Sequence, residues 1–245
     1  MQAFTGFINE GMNLTLEYHD ELNPLLWHDE DMKPKVRERL LQIGKMWAAF
    51  ARIPEDAIRD VVLTGGNANY NYTTYSDLDV HLLVNLTKIP GDKDSLDERL
   101  YDKKVLWAYK HPNLTVMGYP VELYAQDYRQ GVASQQGEYS LMKGRWLYKP
   151  NILTHPDFEN DTALLAKIDE YKDMIEHILS EPGDHTGEIN KLKEKFHNMR
   201  SAGIQRSGEF SMENLIYKEL RNRGYITKLN EYLQKKRDEL LSLTA

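Results

Sequence analysis

Residues 60–84 read DVVLTGGNANYNYTTYSDLDVHLLV, and the alternation within this stretch decides the fold. Asp60 to Thr64 is a short apolar run closed by Gly65-Gly66, which reads as a strand ending in a tight turn. A polar, aromatic spacer of ten residues, 67 to 76, follows. Asp77-Leu78-Asp79-Val80-His81-Leu82-Leu83-Val84 then alternates before an apolar end, the strongest strand pattern in the chain. In a strand, residues two apart share a face, so Asp77 and Asp79 are expected to point the same way. Two carboxylates held together repel unless a proton or a cation lies between them. Taken alone, the triplet also fits a solvent-facing strand with scattered acids. Gly65-Gly66 alone also fits a plain turn, although glycines there let backbone amides approach a phosphate closely.

Outward from this stretch, Pro34 opens a predicted helix with apolar residues at Val36, Leu40, Ile43, Trp47 and Phe50, ending before Pro54. Ser95 to Tyr109 is a second predicted helix, its turns marked by Leu96, Leu100, Lys103/Lys104 and Trp107. Tyr119 to Ala125 alternates as a third strand with Pro120 at its start. Glu122, between Val121 and Leu123, is the best candidate for a third carboxylate, ahead of Asp127 and Glu138. Magnesium suits carboxylate oxygens, and three acids around two ions can align the attacking and leaving oxygens of an in-line displacement. Residues 137–150 read as extended or turn-rich. From about 161 the chain reads as helix: one apolar stripe from Leu164 to Ile178 stopped by Glu181-Pro182-Gly183, a second from Ile189 to Met199, a third capped by Ser211, and a last from about Ile226 to Leu241 after Gly224. The expected architecture is α+β: a small mixed sheet with an N-terminal helix, and a helical C-terminal half. Its divisions are 1–150 for the catalytic region and 151–245 for a helical region packed against it.

The pattern Leu63-Thr64-Gly65-Gly66, ten residues, Asp77-Leu78-Asp79-Val80, with Glu122 on a later strand, resembles the signature of nucleotidyltransferases of the DNA polymerase β superfamily. That signature is a hydrophobic position, Gly, then Gly or Ser, a spacer of this length, and two acids bracketing a hydrophobic residue. The resemblance covers roughly residues 58–127. It implies that Asp77, Asp79 and Glu122 hold Mg²⁺ or Mn²⁺ and that Gly65 and Gly66 contact a nucleoside triphosphate. Gly66 departs from members with Ser at that place, which removes one side-chain hydrogen bond to phosphate. The wider run from Thr64 to His81, with LNPLLW (22–27), MKPKVRERLL (32–41) and GEFSMENLIYKELRNRGYI (208–226), is similar to uncharacterised phage nucleotidyltransferase-like proteins and implies no defined substrate.

Other residues carry two readings. His81 faces with the two acids and could be a ligand, a proton carrier or a structural hydrogen bonder. Asn67, Asn69, Tyr70 and Tyr72 could contact a nucleotide or simply build the turn. Lys143, Arg145 and Lys149 could neutralise a triphosphate or sit on a solvated loop.

The chain has 245 residues, 41% hydrophobic and 28% charged, enough for a substantial core. It has no cysteine, which excludes disulfides, thiolate metal sites and cysteine nucleophiles and points to the cytoplasm. No secretory signal is read in MQAFTGFINEG, and no apolar run suits a bilayer. The net charge of −7 disfavours broad nucleic-acid wrapping. The favoured activity is metal-dependent transfer of a nucleoside monophosphate from an NTP to a hydroxyl on RNA, protein or a small molecule. Its rivals are an inactive module on the same fold, and a nucleic-acid-binding protein without chemistry.

Overall fold

A computed structural model describes residues 14–130, 137–151 and 156–243. The N-terminal stretch searched for a leader lies outside the described residues, as does most of the loop between Pro150 and Pro156. The chain forms two compact units, Glu17–His155 and a second comprising Met1–Leu16 with Pro156–Ala245.

The first unit is built on a mixed sheet. After a two-residue pairing of β1 (Trp27–His28) with β2 (Asp31–Met32), helix α1 (Pro34–Ala51) begins on Pro34 and ends at Arg52, which adopts φ 58°. Its stripe Val36, Leu40, Ile43 and Trp47 is buried. Gly44 brings the helix onto the sheet: a Cβ there would stand 3.0 Å from Val61 Cγ1. Strands β3 (Ile58–Thr64) and β4 (Leu78–Val84) follow, then α2 (Lys93–Lys110), β5 (Thr115–Val116), β6 (Tyr119–Asp127), β7 (Glu138–Ser140) and β8 (Arg145–Tyr148). The sheet order is β5-β6-β4-β3-β7-β8. β4 and β6 run parallel, joined through α2, and the other pairings are antiparallel. The sheet therefore has six strands, of which the sequence pattern reveals β3, β4 and β6. β5, β7 and β8 are two to four residues long, too short for a period of two to register.

Alternation gives β4 two faces. Leu78, Val80, Leu82 and Val84 are buried, whereas Asp79, His81 and Leu83 are less so. Register carries the second face across the sheet, because directly paired residues share a face. Asp79 lies opposite Thr64 on β3 and Glu122 on β6; His81 lies opposite Val62 and Tyr124.

The second unit is helical: α3 (Thr162–Ser180), α4 (Thr186–Ser207), α5 (Met212–Asn222) and α6 (Tyr225–Leu241). Asp161 caps α3 by accepting from the Leu164 amide at 3.0 Å. Ser211 stands at the start of α5 as expected, but its hydroxyl makes no capping bond. Gly224 ends α5 and starts α6 at φ 80°. Glu219 is fully buried. It accepts from the Thr15 hydroxyl at 2.6 Å and from Arg223 Nε at 2.6 Å, which offsets the cost of burying its charge and ties the N-terminal segment to α5. No helix among the described residues is long and apolar enough to cross a membrane.

Candidate metal and nucleotide site

The spacer between β3 and β4 is a packed scaffold. Asn67, Asn69, Tyr70, Asn71, Tyr72 and Thr73 are all buried. Asn67, fully enclosed, is the centre of this packing. Its Nδ2 donates to the Asp77 carbonyl at 2.8 Å, and its Oδ1 accepts from Asn23 Nδ2 at 2.8 Å. Its own carbonyl accepts from Trp27 Nε1 at 2.9 Å. Asn69 ties the loop to both neighbours: Nδ2 donates to the Gly65 carbonyl at 2.7 Å, and Oδ1 accepts from the Gly137 amide at 2.9 Å. His19 stacks on Tyr72 with ring centroids 3.9 Å apart. Burial pushes the Tyr72 hydroxyl up to about 12, so it stays protonated near neutrality. Asn67, Asn69 and the Tyr72 ring thus take part in building the loop.

The loop closes with a turn. The Thr73 amide donates to Ser76 Oγ at 2.9 Å and the Ser76 amide donates back to the Thr73 carbonyl at 3.1 Å. Asp77 comes next, one residue before β4 begins, so it is the loop rather than strand alternation that aims it. Asp79 is the first acid within the strand, and Glu122 is its register partner on β6. One carboxylate oxygen from each of Asp77, Asp79 and Glu122 lies within 4.8 Å of the others. Glu122 thus stands with the two aspartates. Asp127 is instead paired with Arg129 at 2.6 Å, and Glu138 is buried two strands away on β7. The donor set is hard oxygen throughout. Two oxygens on one Mg²⁺ are at most about 4.2 Å apart, since each bond is about 2.1 Å. Only an opposite pair reaches that distance and neighbouring ligands stand about 3 Å apart, so the three acids would have to draw closer by side-chain rotation to share one ion.

Gly65 borders the acids. It has φ 76°, a conformation that L side chains rarely adopt, and it opens a one-turn 3-10 helix over Gly66–Ala68. A Cβ on Gly65 would stand 1.9 Å from Asp79 Oδ2, so the glycine also provides the space that the carboxylate fills. Gly66 is less constrained. A Cβ there would meet Ser76 Oγ at 3.3 Å.

His81 lies one alternation step further along β4. Its Nδ1 donates to Gln126 Oε1, an atom that can only accept, at 2.9 Å, and its ring leans on Tyr124. Burial holds its pKa below the usual histidine value, with Lys104 adding to the effect, so the ring is neutral near pH 7. Its position favours the structural reading over a proton carrier.

The downstream cations lie elsewhere. Lys143 Nζ is 2.8 Å from the buried Asp60 Oδ2, and Asp60 is four residues, about 13 Å, along β3 from the Thr64 that faces Asp79. Arg145 stands on β8, three strand spacings or roughly 14 Å from β4. Lys149 pairs with Glu30. A basic run near the third acid in sequence is thus not a basic run near it in space. Lys104 on α2 does reach the acids: its Nζ is 2.6 Å from Glu122 Oε1. In the sequence Lys104 does no more than mark a turn of the helix. The available signal was its place, four residues after Leu100 and three before Trp107, on the stripe that faces inward.

No family model matches the chain, and no curated protein matches it. Three solved structures match at low identity. A STING-associated CdnE c-di-GMP synthase from Capnocytophaga granulosa is 11% identical, with 83% of this chain and 81% of that one covered at a TM-score of 0.21. The E. coli MS115-1 CdnC:HORMA-deltaN complex is 12% identical, covering 86% and 67% at 0.24. A Rhodothermus marinus CdnE c-UMP-AMP synthase with Apcpp and Upnpp is 15% identical, covering 82% and 83% at 0.21. With TM-scores this low, the likeness defines neither the site nor the chemistry of this chain.

Proposed function

We propose that the chain is a metal-dependent nucleotidyltransferase that moves a nucleoside monophosphate from a nucleoside triphosphate to a hydroxyl acceptor. The observation that carries this reading is the convergence of Asp77, Asp79 and Glu122 within 4.8 Å. Asp79 and Glu122 share a sheet face, the loop before β4 brings Asp77 to them, and the three stand beside a glycine whose backbone leaves room for Asp79. In the transfer, the acceptor oxygen forms a bond to the α-phosphorus. The bond from that phosphorus to the bridging oxygen breaks, pyrophosphate departs, and the hydroxyl proton goes to solvent. Bound Mg²⁺ or Mn²⁺ would supply charge neutralisation at the phosphates and a lowered pKa for the attacking hydroxyl. Asp77 and Asp79 would hold the ion of the nucleotide, and Glu122 would join them around a second. Asn67 would fix Asp77 through its backbone carbonyl, and Gly65 would keep the approach to Asp79 open.

The deciding experiment incubates the protein with each labelled NTP and Mg²⁺ or Mn²⁺, with RNA, protein or small hydroxyl acceptors, and reads products by mass spectrometry together with pyrophosphate release. Nucleotide added to an acceptor, dependent on metal, is the expected result. Calorimetry with a nonhydrolysable nucleotide separates the inactive module: metal-dependent binding with no product from any NTP would make the chain a binding protein.

A further inference from the structure

Helix α2 carries a lysine where its packing calls for a hydrocarbon. Leu96, Leu100 and Trp107 are buried, and Lys104 shares their face. Its side chain keeps only 25% of its exposure. Removing an ammonium from water costs several kcal/mol unless it is paired and hydrogen-bonded. The pairing here is to the triad itself: Nζ is 2.6 Å from Glu122 Oε1, and 5.2 Å from the centroid of the Tyr124 ring, two residues on along the same face of β6. A surface lysine gains little from such a contact. One drawn onto the inner stripe of a helix, with an aromatic face against it, is held in place.

We infer that Lys104 is an internal counter-ion of the metal centre: it occupies Glu122 in the nucleotide-free protein and limits the site to one divalent ion until a nucleotide's phosphates draw the ammonium away. This rests on the reading of the triad as a metal site. The three carboxylates carry three negative charges and Lys104 removes one, so a single divalent ion brings the cluster to neutrality. A second ion would meet no net attraction and would have to displace Lys104 from its oxygen. A triphosphate changes both terms. It brings further negative charge for the second ion and new oxygens for the ammonium. The second metal is thereby coupled to the presence of substrate.

The test is Mn²⁺ binding by the full chain, read by electron paramagnetic resonance of the free ion without turnover. The wild type should take up one tight Mn²⁺ alone and two with a nonhydrolysable NTP. Lys104→Gln and Lys104→Met should take up two without nucleotide, the second tightened about tenfold over wild type, the scale of losing one partly buried competing charge. Lys104→Arg should behave as wild type, and Lys104→Gln combined with Glu122→Gln should return to one. Unchanged or weaker second-ion binding in Lys104→Gln and Lys104→Met, with the first ion still bound, would overturn the inference and leave Lys104 as a residue that only positions Glu122. If the wild type binds no Mn²⁺ with or without nucleotide, the metal reading itself fails and this inference goes with it.

Discussion

The Asp79 carboxylate occupies the space that a side chain on Gly65 would need: an added Cβ would stand 1.9 Å from Oδ2. Two features fourteen residues apart in sequence are thus one feature in space. The backbone at Gly65, with φ 76°, turns out of β3 just where Asp79 enters from β4, because Thr64 and Asp79 are register partners.

From this relationship, Gly65→Ala should be costly and Gly66→Ala mild. At position 65 the methyl meets both a left-handed φ and an oxygen it cannot overlap, so a loss of about 1–3 kcal/mol is expected, with weakened Mn²⁺ binding as Asp79 is pushed aside. At position 66 the nearest atom is Ser76 Oγ at 3.3 Å, and the change should stay within about 1 kcal/mol. Urea denaturation of both variants checks the pair. Equal costs would mean that the close approach to Asp79 does not constrain the turn.

Asp77→Asn and Asp79→Asn should each abolish metal-dependent transfer while the fold persists. Each removes one charged ligand from a cluster that is asked for several kcal/mol of charge stabilisation, hence at least about 10²-fold in rate. Taking a like charge from the trio should not lower the stability of the metal-free Asp77→Asn protein. Near-wild-type transfer by either variant, with circular dichroism unchanged, would remove that residue from the site.

Much of this arrangement is legible in the sequence, and the reasons differ by element. Strand β4 and the helices announce themselves because each is long enough to repeat its period, and β3 because it is an apolar run closed by two glycines. Glu122 is legible because it sits between two apolar neighbours on an alternating strand. The placement of Asp77 is not, because a turn closed by Thr73 and Ser76 aims it. The fate of the cations is also hidden. Lys143 and Lys104 look alike in sequence, but Lys143 meets a buried aspartate on β3 and Lys104 meets the triad, and only the tertiary course of the sheet and α2 distinguishes them. Asn67 reads in sequence either as a nucleotide contact or as a turn residue, and only the structure shows that both ends of its amide are engaged inside the protein.

That burial makes Asn67→Leu a sharp probe. The substitution is close in volume but leaves the Asp77 carbonyl and Asn23 Nδ2 without their partner. Each orphaned buried group costs about 1–3 kcal/mol, so a loss of roughly 2–4 kcal/mol is expected in denaturation. Mn²⁺ affinity should fall as well, since the backbone that carries Asp77 loses its tie. A destabilised variant with unchanged metal affinity would show that the loop holds Asp77 by other means.

Glu138 offers a test by pH. It is buried on β7, and burial, followed by the nearby Asp60 charge, raises its pKa above the usual carboxylate value, with Lys143 opposing. A raised carboxylate means that the folded state holds its proton more tightly than the unfolded chain does. Between the unfolded value and the raised folded one, the native state binds more protons, so stability falls as pH rises through that window and stays lower above it. Glu138→Gln is neutral at every pH and escapes this loss. The variant should therefore match wild type near pH 4 and be the more stable of the two at pH 8, by on the order of 1 kcal/mol. Denaturation midpoints measured across pH 4–8 decide the matter. A wild type that gains on the variant as pH rises would show that the ionised Glu138 is stabilised in place, through Lys143, rather than penalised by its burial beside Asp60.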